Sequence, residues 1–294
     1  MAMFAVCGPD DEIIVFEPFY ANYNSYAVVN GIRLVPVPTD IGNGFHLPDA
    51  KTIGQAVTSR TKAILICSPN NPTGTVYTRK EMDMLVDLAA SRNLYLMSDE
   101  VYREFVYDGN AHTSLFKYME KYPDRLIVLD SLSKRYSFCG GRVGVLVTMN
   151  RGISEGVLRI AQGRLSAGYV DQMVAAELRH IPSGYLEGVC KEYRKRRDIL
   201  YRGLQKISGV EVPQPEGAFY LIAGLPVADA EDFCRWLLTD FRDNGETVML
   251  APAAGFYATP DLGRNQVRIA YVLDSTKLER SVSIIARALS VYGN

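Results

Sequence analysis

The 294-residue chain has little of what marks several protein classes. Its five cysteines (Cys7, Cys67, Cys139, Cys190 and Cys234) are odd in number, far apart and never in a Cys-x-x-Cys pair, which argues against a disulfide framework and a cysteine-based zinc site. They read as reduced, mostly buried thiols of a cytoplasmic protein. Cys139, with no second cysteine nearby, reads as a buried thiol rather than a redox centre. The three histidines (His46, His112 and His180) are scattered, which disfavours a histidine metal centre or a Ser-His-Asp triad. Charge of one sign is lacking: 32 basic against 33 acidic side chains leave a net charge of −1. That balance gives no basis for broad capture of nucleic acid or anionic membrane. No apolar run approaches the ~18–20 residues that span a bilayer. Met1–Cys7 is apolar but has neither a basic leader nor a cleavage site, so it does not read as a secretory signal. There is no internal repeat and no low-complexity linker.

What is present is the balance of a soluble globular protein, with 48% hydrophobic and 22% charged residues. At about 100–200 residues per domain, one large or two smaller domains are expected. Short β-branched runs at Glu12–Phe16, Arg33–Val37, Ala63–Cys67, Leu94–Ser98, Leu126–Asp130 and Val143–Thr148 predict strands. Several are apolar throughout, as strands buried on both faces are. Thr78–Arg92 predicts a helix: Thr78 and Glu81 form a capping box, and Met82, Leu85, Val86 and Ala89 recur at helical spacing. Strand–helix alternation over the first 150 residues predicts an α/β domain with a mostly parallel sheet. Beyond Asn150 the pattern changes. Helices are expected at 154–164, 167–180, 185–206, 230–242 and 275–291, the third long enough to bridge two domains. Strands are expected at Gly217–Ile222, near Thr247–Leu250 and at Gln266–Tyr271. The chain thus divides into a large domain over residues 1–184 and a small α+β domain over 185–294. Met1 opens directly in an apolar helical stretch with no cap, so the sequence reads as lacking an N-terminal portion. Lys191–Arg197 (KEYRKRR) reads as a solvated helix face rather than a nucleic-acid patch.

Polar clusters follow four of the predicted strands: Glu17-Pro18-Phe19-Tyr20, Ser68–Gly74 (SPNNPTG), Ser98–Tyr102 (SDEVY) and Asp130–Lys134 (DSLSK), the last followed by Gly140-Gly141-Arg142. In open α/β sheets ligands bind beyond the carboxyl ends of the strands, so these loops can converge. The residue types suggest the ligand. Lys134 offers an amine that attacks carbonyls when deprotonated. Ser131, Ser133 and Arg142 can hold a phosphate, although the two serines can also serve local backbone groups. Asp99 can pair with a cationic ring nitrogen or act as a helix cap. Asn71 and Tyr102 can donate to a phenolate-like oxygen, and Tyr20 can stack on a flat ring. The neighbouring aromatics Phe19 and Tyr23 read as core. An aldehyde, a phosphate, a basic ring nitrogen and a ring oxygen together describe pyridoxal 5′-phosphate.

PNNPTG (Pro69–Gly74), SDEVY (Ser98–Tyr102), SLSK (Ser131–Lys134), GGRVG (Gly140–Gly144) and NQVRIAY (Asn265–Tyr271) occur in an order and spacing that resemble the class I/II aminotransferases of fold type I, most of all bacterial aspartate aminotransferase-like proteins. The resemblance covers essentially the whole chain. It implies a three-layer αβα domain with a mostly parallel sheet, a smaller α+β C-terminal domain, and a cytoplasmic homodimer that takes an amino acid and a 2-oxo acid, with neither nucleic acid nor membrane as partner. It implies that Lys134 forms the Schiff base with the cofactor and then moves the proton. Asp99 would hold the ring nitrogen protonated, Asn71 and Tyr102 would bond the ring oxygen, and Tyr20 would stack on the ring. Ser131, Ser133 and Arg142 would bind the phosphate. Asn71 and Arg268 would meet the substrate, Arg268 clamping its α-carboxylate from the end of a predicted strand. The family pattern also implies a further N-terminal stretch with a Gly/Ser-rich phosphate-binding turn and a segment covering the substrate. Two other activities use the same residues: a carbon–sulfur β-lyase, and a shortened, catalytically silent protein that binds the cofactor.

Overall fold

The computed structural model describes residues 1–293. Six strands, β1 (Glu12–Glu17), β2 (Arg33–Pro38), β3 (Thr61–Cys67), β4 (Tyr95–Asp99), β5 (Leu126–Ser131) and β6 (Gly144–Val147), form one sheet in the order β2-β1-β3-β4-β5-β6. All neighbours pair in parallel except β5 and β6, which are antiparallel. Each strand matches an apolar run of the sequence to within two residues at either end.

The apolar runs of β1, β3, β4 and β5 are covered on both faces, as their lack of alternation predicts, while β2 and β6 at the sheet edges are partly exposed. Ile14, Phe16, Ile64, Ile66, Leu96 and Val128 face one side and pack against Met82, Leu85, Val86 and Ala89 of a helix at Arg79–Ser91. Ile13, Val15, Ala63, Leu65, Met97 and Ile127 face the other, beneath Ala2 and Met3, Tyr23 and Ala27, and Ile153. These come from α1 (Ala2–Val6), α2 (Asn22–Val29) and a later helix at Arg151–Arg164. With a short helix at Ala50–Gln55 as α3, the Arg79–Ser91 helix is α4. It begins as its sequence dictates: the Thr78 hydroxyl accepts from Glu81 N, and Glu81 Oε2 accepts from Thr78 N at 2.7 Å. The result is a three-layer αβα architecture.

The chain continues through α5 (Leu132–Arg135), α6 (Arg151–Arg164), α7 (Tyr169–Glu177) and α8 (Tyr185–Leu204) into a second sheet. The latter has order β7-β9-β8, from β7 (Tyr220–Gly224), β8 (Ala251–Pro252) and β9 (Gln266–Ala270), all antiparallel. It packs with α9 (Ala230–Thr239), α10 (Ser275–Val291) and the end of α8 around Phe233, Leu237, Ile269, Ile285 and Leu200. Two expectations need correction. Thr247–Leu250 is not a strand; the pairing falls on the two residues that follow, because β9 meets the chain only at Ala251 and Pro252. The helix expected over 167–180 is α-helical only to Glu177 and tightens into a 3-10 turn at Leu178–His180. A third correction concerns the basic run on α8. Arg197 is only 1% exposed, bonded to Asp108 and Asp198 at 2.7 Å each and lying over the Tyr107 ring. Two carboxylates neutralise it, which is what makes burial of a guanidinium tolerable. Cys139 is exposed, against the expectation of a buried thiol, and all five cysteines are free. Among the described residues no helix is long and apolar enough to cross a membrane.

The two sheets meet at a glycine pair. Gly74 O accepts from both Glu216 N (2.9 Å) and Gly217 N (2.7 Å). A Cβ on Gly217 would come within 2.5 Å of Phe105 O, and one on Gly74, at φ +76°, within 2.7 Å of Tyr220 O. Two further contacts reinforce the junction. Glu17, fully buried at the end of β1, accepts from the backbone N–H groups of Ala258 and Thr259. His46 lies between Glu81 (Nδ1 to Oε1, 3.0 Å) and Glu216 (Nε2 to Oε2, 3.5 Å). Hydrogen bonds to Glu216 and then Glu81 push its pKa up to about 10.

A histidine whose folded pKa lies above its unfolded one stabilises the protein fully below the unfolded value, and that contribution fades as pH rises through the folded value. His46→Gln is therefore expected to cost about 1.5–3 kcal/mol near pH 6 and almost nothing relative to wild type above pH 10. Urea unfolding at both ends of that window checks it; an equal deficit at both would refute the ion pairs.

Candidate active site

The expected site residues sit where the fold places loops, beyond the carboxyl ends of β1, β3, β4 and β5. Asp99 is the last residue of β4 and lies opposite Cys67, the last of β3. Its Oδ2 accepts from Tyr23 Oη at 2.8 Å and its Oδ1 from Val101 N at 3.3 Å. Among the described residues it has no cationic partner. Burial pushes its pKa up, and the Tyr23 hydrogen bond opposes that rise. A buried carboxylate held by hydrogen bonds but lacking a countercharge is a site for a cation.

Lys134 lies on the single turn α5 that follows β5. Its Nζ has no hydrogen bond or ion pair among the described residues and sits 5.8 Å from the centre of the Phe219 ring. The next residue, Arg135, is tied down by Glu104 at 2.8 Å and Asp130 at 2.7 Å. The turn is thus anchored by one cation while the neighbouring amine stays uncommitted. Ser131 and Ser133 share a hydrogen bond of 2.8 Å, and Ser131 Oγ also accepts from Ser133 N. They serve the local backbone while standing one turn from the amine.

From Lys134 a row of aromatic rings leads to the second sheet. Phe219 meets Tyr102 edge-on at 5.1 Å, and Tyr102 meets Tyr220 edge-on at 5.7 Å with the two hydroxyls 3.1 Å apart. Burial raises the pKa of Tyr102, so its hydroxyl keeps its proton as a donor. Arg268 closes the row. It occupies the middle of β9, not the end of a strand as the sequence suggests, opposite Ile222 and Ala251. Its guanidinium lies 4.7 Å from the Tyr220 ring and 4.9 Å from that of Phe256. Nη1 donates to Asn71 Oδ1 at 3.2 Å, and Nε is buried with no acceptor. No carboxylate pairs with it among the described residues.

Six expected residues, Lys134, Asp99, Tyr102, Asn71, Arg268 and the half-buried Tyr20, thus border one region. Tyr20 turns its ring edge to Tyr23 at 5.5 Å and accepts from Asn22. Arg142 stands apart: it is exposed, in the left-handed conformation at φ +51°, and donates to the carbonyl of Cys139 at 2.9 Å, with no bond to either serine. Three contributors are not recognisable as such in the sequence. Tyr23 reads there as core, although it lies only three residues beyond Tyr20. Tyr220 and Phe256 carry no charge and belong to no polar cluster; only the pairing of β7 with β9 reveals them. No group of histidine, cysteine, aspartate or glutamate among the described residues can hold a metal ion.

The donor set fits pyridoxal 5′-phosphate on three observations: an uncompensated buried acid, an amine without an acid, and an orphaned buried guanidinium nitrogen. Each is a cost unless a ligand completes it. An aromatic ring with a basic nitrogen and a carbonyl completes the first two, and a carboxylate completes the third.

Known proteins resemble this chain over nearly its whole length. The family model for aminotransferase class I and II matches residues 1–285. The aspartate aminotransferase of Thermotoga maritima is 32% identical over 97% of this chain and 70% of its own length. A bifunctional aspartate and glutamate/aspartate-prephenate aminotransferase of Petunia hybrida is 29% identical over 98% of this chain, which spans 61% of that relative. The solved N-succinyldiaminopimelate aminotransferase of Mycobacterium tuberculosis superposes with a TM-score of 0.88 at 28% identity, covering 98% of this chain and 74% of that one.

Removing the Tyr23 hydroxyl should strip Asp99 of its main hydrogen bond. Tyr23→Phe is expected to cost about 1–3 kcal/mol at pH 7, and much less in an Asp99→Asn background, as urea unfolding of the four proteins will show. Additive losses would disprove the coupling.

Proposed function

The chain belongs to aminotransferase class I and II, and from that premise we propose that it moves an amino group between an L-amino acid and a 2-oxo acid with pyridoxal 5′-phosphate. The observation that carries the reading is the pair of uncommitted cations, Lys134 and Arg268, at opposite ends of one aromatic row. One suits a carbonyl and the other a carboxylate, the two functions that every 2-oxo acid presents side by side.

The bound cofactor would supply an electrophilic carbon and a protonated ring that takes up electron density. Asp99 holds the proton on the ring nitrogen, its buried carboxylate finding there the countercharge the protein does not provide. Tyr102 Oη and Asn71 donate to the ring oxygen, and Tyr20 covers a ring face. Ser131, Ser133 and Arg142 hold the phosphate, Arg142 by releasing its bond to Cys139. Arg268 clamps the substrate carboxylate, its plane set by Tyr220 and Phe256. Lys134 Nζ, once neutral, takes a proton from the substrate carbon and returns it to a neighbouring atom. Residues 1–184 form the domain that carries the cofactor and 185–294 the one that brings Arg268. The Arg268–Asn71 bond spans the two sheets, so a bound carboxylate bears on both. Aspartate, the substrate in the relatives' names, is the first amino donor to assay, and a cytoplasmic homodimer is the expected form.

With L-aspartate and 2-oxoglutarate the full chain should yield oxaloacetate and glutamate. Borohydride should fix cofactor mass to Lys134, and Lys134→Ala should lose both the label and at least ~10²–10⁴-fold in rate. Arg268→Gln should raise KM by about 10–100-fold. Pyruvate and ammonia from cystathionine, with no transfer, would instead mark a β-lyase, and an unlabelled Lys134 would overturn the cofactor.

A further inference from the structure

We propose that Tyr220 is a positioning residue that joins the carboxylate-holding arm of the site to its hydroxyl-donating arm, its ring serving Arg268 and its hydroxyl serving Tyr102. The inference rests on the transaminase reading above. Tyr220 opens β7 opposite Ala270, two residues along from Ile222, which faces Arg268. Residues at that diagonal share a sheet face, within reach of long and aromatic side chains. The guanidinium accordingly lies 4.7 Å from the Tyr220 ring. At the other end of the same side chain, the hydroxyl lies 3.1 Å from Tyr102 Oη.

The chemistry of that hydroxyl pair is restrictive. Two phenols that share one hydrogen bond have one proton left to donate outward. Tyr102 Oη donates to Tyr220 Oη, so Tyr220 is the acceptor that competes with a ligand oxygen for the Tyr102 proton. No other hydroxyl, carboxylate or amide among the described residues bonds Tyr102 Oη. Orientation of the Tyr102 proton therefore depends on Tyr220. The ring acts separately from the hydroxyl, because an aromatic face against a guanidinium fixes its plane and leaves its N–H edge for an anion. Phe256 covers Arg268 as well but offers Tyr102 nothing, so only Tyr220 links the two arms.

Substitution can separate the ring's effect from the hydroxyl's. Tyr220→Phe keeps the ring and removes the hydroxyl; Tyr220→Leu removes both. The full chain is loaded with pyridoxal 5′-phosphate and its visible absorbance titrated against pH, and succinate binding to the cofactor-free chain is measured by calorimetry. In Tyr220→Phe the absorbance midpoint should move downward by about half to one pH unit, because the Tyr102 proton no longer has Tyr220 as a competing acceptor and turns to the anionic ring oxygen. Its succinate affinity should stay within about twofold, and that of Tyr220→Leu should fall about tenfold. Thermal unfolding accompanies each variant; should Tyr220→Leu fail to fold, Tyr220→Phe alone decides the hydroxyl's role. A Tyr220→Phe midpoint identical to wild type overturns the link to Tyr102, and undiminished succinate affinity in a folded Tyr220→Leu overturns the link to Arg268. A wild-type chain that holds no cofactor, yet binds succinate through Arg268, overturns the transaminase reading and the hydroxyl's role with it.

Discussion

The molecule depends on one steric constraint, the approach of two backbones at Gly74 and Gly217. With no side chain on either, the carbonyl of Gly74 receives two N–H groups from the segment that leads into β7. Phe105 O, Pro69 and Val76 crowd the position where a Cβ on Gly217 would stand. That contact fixes how far β7 and β9 lie from the loop after β3. It thereby sets the reach from Arg268 to Asn71, and from Tyr220 to Tyr102. Larger residues at either glycine would separate the halves of the site before altering any of its polar groups.

Around this junction charge is distributed in two ways. Most buried ions are matched: Arg197 by two aspartates, Arg135 by Glu104 and Asp130, Glu100 by Arg103, His46 by two glutamates. Among the described residues Glu17, held by backbone N–H groups alone, is not, and neither are Asp99, Lys134 and Arg268. Isolated charges in an interior are costly, and proteins normally remove them by pairing. Lys134 and Arg268 stand at the two ends of one row of rings, and Asp99 is held beside Tyr23 at the same strand ends, which marks a candidate ligand site against the paired framework.

Much of this is legible in the sequence, and the reasons differ by element. The central strands show because burial on both faces demands unbroken apolar runs; α4 shows because its cap and its stripe agree. Asp99, Lys134 and Asn71 show because strand-end loops with unusual polar residues have few structural explanations. Position within a strand does not show. Arg268 looks terminal in its segment, and only the pairing with both β7 and β8 centres it. Arg197 looks solvated because its neutralising Asp108 is distant in sequence. Tyr23 and Tyr220 are hidden for a related cause: a tyrosine in an apolar segment gives no sign of whether its hydroxyl has found a partner.

The aromatic bracket around Arg268 has a bearing on how such a protein can change over time. Tyr220 and Phe256 pin the guanidinium through their faces, independently of whatever would lie beyond a carboxylate bound there. Under the proposed role, the grip on what all amino acids have in common would thereby be insulated from the surface that meets what sets them apart. Mutations on that surface can accumulate and redirect preference among amino donors while the anchor stays in register. A fold built this way can diversify its diet without relearning how to hold its food.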